Sequence, residues 1–221
     1  MLINNDFSFS STNGFIAIDG VNGAGKGTLI QHLLKHLQSL GIPVLTTREP
    51  GGSELGQKMR PLILGEKCQG LMTELFLFAA DRNEHVCSVI RPALTKHQLV
   101  ISDRYYYSTT AFQGYGRGLP LDRVNHINSL AVDGCLPDLF ILLDLPPEIG
   151  LERTRLRNSQ EYDKMEGEEL AFHRRLREGF LEQAKICREP CLVVNASQSA
   201  ETVWQTILPV INNFLRVWET K

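Results

Sequence analysis

The segment GVNGAGKGT, residues 20–28, has the spacing G-x-x-x-x-G-K, with Gly20, Gly25 and Lys26 in the required places. Glycines at these places let the backbone curl so that successive N–H groups point at the oxygens of a bound anion. Lys26 adds a positive charge, and a helix that begins at the loop adds the positive end of its dipole. An apolar run precedes the segment and an amphipathic run follows it. This strand–loop–helix context favours a phosphate-binding loop over a chance glycine-rich turn.

The residue after Lys26 departs from the usual pattern of such loops, in which Ser or Thr follows and holds Mg²⁺ through its hydroxyl. Here the residue is Gly27, and Thr28 comes one place later. We therefore expect Mg²⁺ to be held mainly through water and phosphate oxygens, which this ion tolerates well. The spacing G-x-G-K-G-T also occurs in adenylate-kinase-like enzymes, which favours nucleoside monophosphate kinases over GTPase switches.

Strand-like apolar runs alternate with helix-length amphipathic segments along the chain. The predicted strands are residues 15–19, 43–48, 99–102, 139–145 and 191–196. Their continuous apolar character is typical of parallel strands that are covered on both faces. The alternation predicts an α/β fold with a five-stranded parallel sheet flanked by helices. Together with the loop at residues 20–28, it indicates a three-layer P-loop NTPase fold.

The domain organisation is predicted to be simple. Residues 1–14 are expected to be a flexible N-terminal tail, and residues 15–221 a single domain. The helix predicted over residues 26–40 should bury one leucine stripe, made of Leu29, Leu33, Leu37 and Leu40. Two segments are predicted to be mobile insertions, GYGRGLP near Gly114 and the Arg-rich stretch that begins near Arg155.

Composition excludes several classes of function. With 23 basic and 25 acidic residues the formal net charge is -2, so there is no electrostatic case for binding long nucleic acid. No apolar run approaches the ~20 residues that a membrane-spanning helix needs. The start of the chain lacks the features of a signal peptide, and the five cysteines are odd in number and scattered. We expect reduced thiols and a cytoplasmic protein.

Four further motifs accompany the loop. They are REPGG (residues 48–52), LFLFAADR (75–82), SDRYYYSTTAFQGYGRG (102–118) and PDLFILLDLPPEIGLERTRLR (137–157). The first three are expected at or near the carboxyl ends of strands, where ligands bind in open α/β sheets.

In these five motifs, and in their order, the chain resembles the thymidylate kinases, which convert dTMP to dTDP with ATP. The resemblance extends from about residue 15 to the C-terminal helix. It implies a P-loop kinase domain with a lid at about residues 153–168, Mg²⁺ bound with ATP, and a homodimer formed through helices. It also implies a place in dTTP biosynthesis, with ATP contacts from Gly20, Val21, Asn22, Gly23, Ala24, Gly25, Lys26, Gly27 and Thr28.

The resemblance also implies a dTMP pocket. Phe78 matches the aromatic residue that stacks on thymine, and Arg82, on the same helix face, reaches the thymine carbonyl or the acceptor phosphate. Arg104 matches the arginine whose planar fork grips the dTMP phosphate. From the residues alone, Phe78 could instead belong to the core, and Arg82 could form a surface ion pair with Asp81 or Glu84. The other implied dTMP contacts are Arg48, Glu49, Ser108, Thr109, Phe112 and Gln113.

Three residues in or near this site bear on metal binding and on the choice of sugar. Asp103 is expected to orient a water of Mg²⁺ or a nearby arginine, the alternative being a structural salt bridge with Arg104. Asn22 stands where the family usually has Asp or Glu, so we expect weaker ordering of the sugar 3′-OH or of the metal shell. Phe112 stands where many members have Tyr, whose hydroxyl is linked to rejecting a ribose 2′-OH. Discrimination against ribonucleotides is therefore either weakened or supplied by the bulk of the phenyl ring.

The family supplies positive charge for the transferred phosphate either from an arginine inside the loop or from arginines in the lid. Gly23 occupies the loop position, so the chain resembles the second, bacterial type. Arg153 and Arg157 are four residues apart and can share a helix face, whereas Arg155 is expected to point elsewhere. The alternative is an exposed basic helix. The implied catalytic set is Lys26, Asp103, Arg153 and Arg157.

The resulting hypothesis is a direct, in-line phosphoryl transfer that needs no protein nucleophile. One rival is another nucleoside monophosphate kinase, acting on dUMP, CMP or AMP. A second rival is a nucleotide-binding regulator without catalysis, which Gly27 and Asn22 would favour. The retained arginines argue against the regulator, because a sensor needs no grip on an acceptor phosphate.

Overall fold

The computed structural model describes residue 9, residues 12–65, 70–156 and 165, and residues 167–219. Its sheet confirms the predicted α/β fold, because five strands run parallel in the order β2-β3-β1-β4-β5. Those strands are β1 (Phe15–Gly20), β2 (Val44–Arg48), β3 (Leu99–Asp103), β4 (Leu139–Asp144) and β5 (Cys191–Asn195). The three middle strands are buried almost throughout, which agrees with their continuous apolar runs.

Helices flank the sheet. In chain order they are α1 (Lys26–Ser39), α2 (Glu54–Leu64), α3 (Leu71–His85), α4 (Arg91–Thr95), α5 (Tyr106–Thr109), α6 (Leu121–Val132), α7 (Pro147–Leu156), α8 (Leu170–Ile186) and α9 (Ala200–Trp218). Wider helical turns, Val86–Ile90 and Thr110–Gly116, join α3 to α4 and extend α5. Helix α1 packs against α9, and α3 packs against both α2 and α6. In the described part of the chain, no helix is both long and apolar enough to cross a bilayer.

Two predictions about local packing were wrong. Leu29, Leu33 and Leu37 are buried as expected, but Leu40 is 53% exposed because α1 ends one residue before it. The first three residues of the predicted insertion, 114–116, are instead the end of the extended α5, which packs on α8. A Cβ added at Gly116 would approach Phe172 to 2.7 Å, so this glycine permits close contact with α8.

The segment before β1 makes contacts with the rest of the molecule. The ring of Phe9 packs edge-on against Phe214, with centroids 5.2 Å apart. The carboxylate of Asp138 accepts hydrogen bonds from the backbone N–H groups of residues 13–15 at 2.8–3.0 Å. Part of the segment predicted as a tail therefore packs on the domain, while the division at residue 14 stays a prediction.

Strand register decides where the motifs meet. Asp103 pairs with Ile18 of β1 and with Arg48 of β2, so the carboxyl ends of these strands coincide. Gly20 is opposite Leu143 of β4 at the same edge. The phosphate-binding loop, the REPGG segment and the DR pair therefore share one edge of the sheet.

Candidate active site

A cleft of about 1240 Å³ opens at this edge, and the residues predicted for two different ligands line it together. Its wall includes the loop from Asn22 to Thr28, with Arg48, Glu49, Asp103, Arg104 and Arg153. A smaller cavity of about 40 Å³ adjoins it and shares Glu49, Pro50, Leu64 and Arg104 with it. The remaining residues of the smaller cavity are Phe78, Arg82, Ser108, Thr109, Phe112, Gln113 and Met165.

The loop has the backbone that its glycines suggest. Gly20, Gly23 and Gly25 have φ values of 145°, 77° and 92°, a region that favours glycine. The ammonium group of Lys26 donates to the backbone oxygens of Gly20 at 3.1 Å and Val21 at 3.3 Å. Because α1 begins at Lys26, its N-terminus and the lysine both lie at the cleft. The loop can therefore receive a phosphate that replaces these carbonyl contacts of the lysine.

Helix α7 approaches the loop without side chains between them. A Cβ added at Gly23 would lie 2.3 Å from the backbone oxygen of Gly150, and one at Gly150 would lie 2.4 Å from that of Asn22. This contact places Arg153 at the cleft, where its guanidinium donates to the carbonyls of Gly23 at 3.4 Å and Ala196 at 3.1 Å. The predicted Arg153 is thus next to the loop.

The rest of the predicted lid is only partly described. Arg155 is exposed and does not line either cavity, in agreement with its predicted orientation away from the site. Arg157 lies outside the described residues, as does most of the range 153–168. Met165, from that range, is buried and forms part of the smaller cavity.

Arg104 is held in the middle of the site. Its guanidinium donates to the carbonyl of Gly20 at 3.0 Å, to the hydroxyl of Ser108 at 2.9 Å and to the side-chain oxygen of Asn22 at 2.5 Å. It also lies over the ring of Phe112, 5.2 Å from the centroid. One arginine therefore connects the phosphate-binding loop with the predicted acceptor pocket.

Asp19 is a site residue that the sequence reasoning missed. Its carboxylate is fully buried, accepts the backbone N–H of Tyr105 at 3.2 Å and the hydroxyl of Ser108, and lies 3.7 Å from Arg104. Burial raises the pKa of Asp19 to about 6, although Arg104, Ser108 and Lys26 act in the opposite direction. A useful signal was present, since the residue is acidic within an otherwise apolar strand.

Arg82 and Glu49, two of the predicted dTMP contacts, belong to a buried network. The guanidinium of Arg82, 1% exposed, pairs with Glu49 at 2.7 Å and donates to Thr109 and Asn128, each at 3.0 Å. Burial alone would raise the pKa of Glu49, but Arg82 and His85 together lower it. The surface ion pair considered for Arg82 is therefore wrong, and His85 was a missed member of the network.

Asp103 has the geometry for an outer metal ligand. Among the residues described, its buried Oδ1 has no hydrogen-bond partner, and it lines the cleft. No group of three or more His, Cys, Asp or Glu side chains suited to a metal occurs in the described ranges. One carboxylate supplemented by water and phosphate oxygens suits Mg²⁺, which keeps several waters when it binds. The residues present therefore fit this ion through water, with Thr28 also at the cleft.

The far wall of the cleft was not predicted. It is formed by Gln198, Ser199, Ala200 and Val203, which follow β5, and by His32 of α1. The hydroxyl of Ser199 accepts the backbone N–H of Thr202 at 3.1 Å and caps α9. The rule that places ligands at the carboxyl ends of parallel strands could have pointed to Gln198, Ser199 and Ala200, because they closely follow the predicted strand 191–196.

Known proteins resemble the chain over most of its length. A family model described as "Thymidylate kinase" matches residues 18–207. The thymidylate kinase of Nitratidesulfovibrio vulgaris (strain Miyazaki F) is 42% identical over 91% of this chain and 97% of its own. That of Carboxydothermus hydrogenoformans is 48% identical over 77% and 84%, and that of Bacillus cytotoxicus 38% over 91% and 98%.

Proposed function

Because the chain belongs to the thymidylate kinase family, we propose that it transfers the γ-phosphoryl group of ATP to dTMP, which forms dTDP for dTTP synthesis. The observation that carries the proposal is that Arg104 lines both cavities. A donor on the phosphate-binding loop and an acceptor in the smaller cavity would then meet at one guanidinium. This arrangement suits transfer between two bound phosphates.

The chemistry is a direct displacement. A phosphate oxygen of dTMP attacks the γ-phosphorus, and the bond from that phosphorus to the bridging oxygen of ADP breaks. Lys26 and Arg153 lie where they can stabilise negative charge on the transferred group and the leaving oxygen. Arg104 orients the attacking phosphate through its planar fork. Arg157 completes the proposed catalytic set. No protein nucleophile is needed.

Asp103 is the residue proposed to hold Mg²⁺, through a water molecule, with the phosphate oxygens of ATP as further ligands. Bound there, the ion would neutralise charge on the β- and γ-phosphates. The assignment is supported by Oδ1 of Asp103, which is buried and has no hydrogen-bond partner among the residues that the structure describes. Gly27 contributes no hydroxyl, so the protein's share of the metal shell would be small.

The proposed site of the thymine ring and its sugar is the smaller cavity together with the part of the cleft that adjoins it, because about 40 Å³ is too small for a nucleoside by itself. Phe78 is half-buried at its wall and offers a ring face for stacking. In the described part of the chain, the guanidinium of Arg82 donates hydrogen bonds to Glu49, Thr109 and Asn128, and its Nη2 forms an ion pair with Glu49 at 2.7 Å. Arg82 would therefore contact dTMP from a fixed position. The remaining proposed contacts are Arg48, Glu49, Ser108, Thr109, Phe112 and Gln113.

A homodimer is also proposed. Helix α3 packs between α2 and α6, and each of the three carries exposed apolar side chains. These are Leu55, Leu62, Leu71, Phe76, Leu121 and Leu130. Burying such a surface against a second copy would remove it from water. Sedimentation equilibrium tests this, and a monomer at all concentrations would contradict it.

Because ATP and nucleotides are its substrates, we further propose a cytoplasmic location.

The test of function is ADP release from Mg·ATP with dTMP, dUMP, the ribose form of TMP, CMP, AMP or no acceptor. We expect release that depends strongly on dTMP. Preference for another monophosphate would retain the transfer chemistry but overturn the base pocket. A folded protein that binds ATP and is inactive with every acceptor would overturn catalysis and favour a regulator.

A further inference from the structure

We infer that Asp19 is a positioning residue that holds Arg104 ready for the phosphate of the acceptor, both directly and through Ser108. The inference rests on the proposed function, because it assigns the acceptor phosphate to Arg104. Asp19 itself has no surface exposure and would not touch substrate.

A hydrogen-bond chain through Ser108 joins the carboxylate of Asp19 to the guanidinium of Arg104. The hydroxyl of Ser108 donates to Oδ1 of Asp19, and the oxygen of the same hydroxyl accepts from Nη1 of Arg104 at 2.9 Å. Because the hydroxyl has a single proton, its donation to Asp19 leaves its lone pairs for the guanidinium. The buried carboxylate thereby fixes which way Ser108 presents itself to Arg104.

The backbone of Arg104 also contributes to the position of its side chain. Arg104 has φ of 73°, a conformation that residues other than glycine adopt at a cost. The turn is held on both sides, since the N–H of Arg104 donates to Ile18 at 2.8 Å and that of Tyr105 donates to Asp19 at 3.2 Å. The carbonyl of Arg104 accepts the hydroxyl of Ser102 at 2.7 Å. Asp19 therefore supports the strained turn that aims the side chain into the cleft.

The guanidinium of Arg104 is surrounded by neutral hydrogen-bond acceptors and by the carboxylate of Asp19. Within the described residues, its hydrogen bonds go to neutral oxygens, those of Gly20, Ser108 and Asn22. A phosphate can displace such partners, because charge-assisted bonds are stronger than bonds to neutral acceptors. The carboxylate of Asp19 lies 3.7 Å from Nη1 and attracts the guanidinium from the buried side. Asn22 is neutral, so the phosphate can also displace its bond to Nη2 of Arg104.

The test uses Asp19→Asn, which keeps the shape of the side chain and removes its charge. The probes are dTMP and thymidine, which differ only by the phosphate, and their binding is measured by calorimetry. We expect dTMP to bind about 10-fold more weakly and thymidine to bind within about 2-fold of the unaltered protein, because only the phosphate uses Arg104. A general structural defect would weaken both ligands alike, and that result would overturn the inference.

Asp138→Asn is the matched control. It makes the same change in a carboxylate at the opposite end of β1, where Asp138 accepts three backbone N–H groups. We expect it to alter stability without changing the ratio of dTMP to thymidine affinity.

A double-mutant cycle completes the test. In an Arg104→Met background, Asp19→Asn should cost no further dTMP affinity, because the residue through which it acts is gone. An undiminished loss in that background would overturn the inference. If the unaltered protein binds thymidine and dTMP equally, the assignment of the acceptor phosphate to Arg104 is wrong instead, and the proposed function fails separately from the role of Asp19.

Discussion

Gly23 of the phosphate-binding loop and Gly150 of α7 pack backbone against backbone. A Cβ at Gly23 would come within 2.8 Å of the Cα of Gly150 and within 2.3 Å of its carbonyl oxygen. A contact this close leaves no room for a side chain on either residue. It also fixes the position of Arg153, three residues further along α7, beside the loop. Gly23 therefore has a second role, which is to let α7 pack closely enough to bring Arg153 to the loop.

Substitution of Gly150 by Ala should weaken ATP binding. The added methyl would lie 2.4 Å from the carbonyl oxygen of Asn22, so α7 or the loop must shift. We expect an increase of at least about 5-fold in KM for ATP and a loss of stability of about 1–3 kcal/mol from overpacking. Gly27→Ala is the stability control, because its methyl meets nothing within 4 Å. If Gly150→Ala has the stability and the KM for ATP of the unaltered protein, the close contact between Gly23 and Gly150 does not matter for either property.

Replacement of Gly27 by Ser should strengthen metal binding. Gly27 is the second residue of α1, lines the cleft and has open space where a side chain would begin. A hydroxyl there could join the shell of Mg²⁺, which is otherwise held mainly through water in our proposal. We expect half-maximal activity at a Mg²⁺ concentration lowered by roughly 3- to 10-fold, measured at fixed ATP. Gly27→Ala is the control, because it replaces a glycine within a helix without adding a hydroxyl. The same Mg²⁺ dependence in the Ser and Ala variants would contradict the prediction.

Asp81→Asn should stabilise the protein more at neutral pH than in acid. Burial, together with the charge of Glu49, raises the pKa of Asp81 from 3.8 to about 6. The folded state therefore favours the protonated carboxyl, and stability is lost as pH rises from about 4 through 6. The amide cannot ionise, while its oxygen can still accept the N–H of Gly51 as the carboxylate does at 2.9 Å.

Urea unfolding of the Asp81 variant and the unaltered protein at several pH values measures this effect. The difference in unfolding free energy should move in favour of the variant by up to about 3 kcal/mol between pH 4 and pH 7. Asp122→Asn, at an exposed position of α6, should show a much smaller change over the same range. A difference that does not vary with pH would mean that Asp81 is not the titrating group.

Phe112→Tyr should sharpen the preference for deoxyribose. Phe112 is 7% exposed, lines the smaller cavity and lies beneath the guanidinium of Arg104. In the family the tyrosine hydroxyl is linked to rejection of a ribose 2′-OH. We expect the ratio of kcat/KM for dTMP to that for the ribose form of TMP to rise by roughly 5-fold or more, since one group adds about 1 kcal/mol of discrimination. An unchanged ratio would assign the discrimination to the bulk of the ring.

Where elements begin and which of them are strands could be predicted from the chain, because those properties depend on neighbours within a few residues. The loop at residues 20–28 and the five strands are examples, as is the stripe of Leu29, Leu33 and Leu37. The error at Leu40 was a matter of one residue at a helix end, where periodicity no longer holds.

The partners inside the site were decided by tertiary packing. Asp19 and Tyr105 are 86 residues apart in the chain, and Arg82 and Asn128 are 46 apart, so no local pattern pairs them. No local pattern predicts the packing of α7 on the loop either, because it depends on a contact between Gly23 and Gly150. The sequence by itself determined the kind of chemistry, because that follows from residue types at short fixed spacings. Only the three-dimensional structure decided which buried groups support those residues, because a buried charge or a bare backbone contact is defined by what surrounds it.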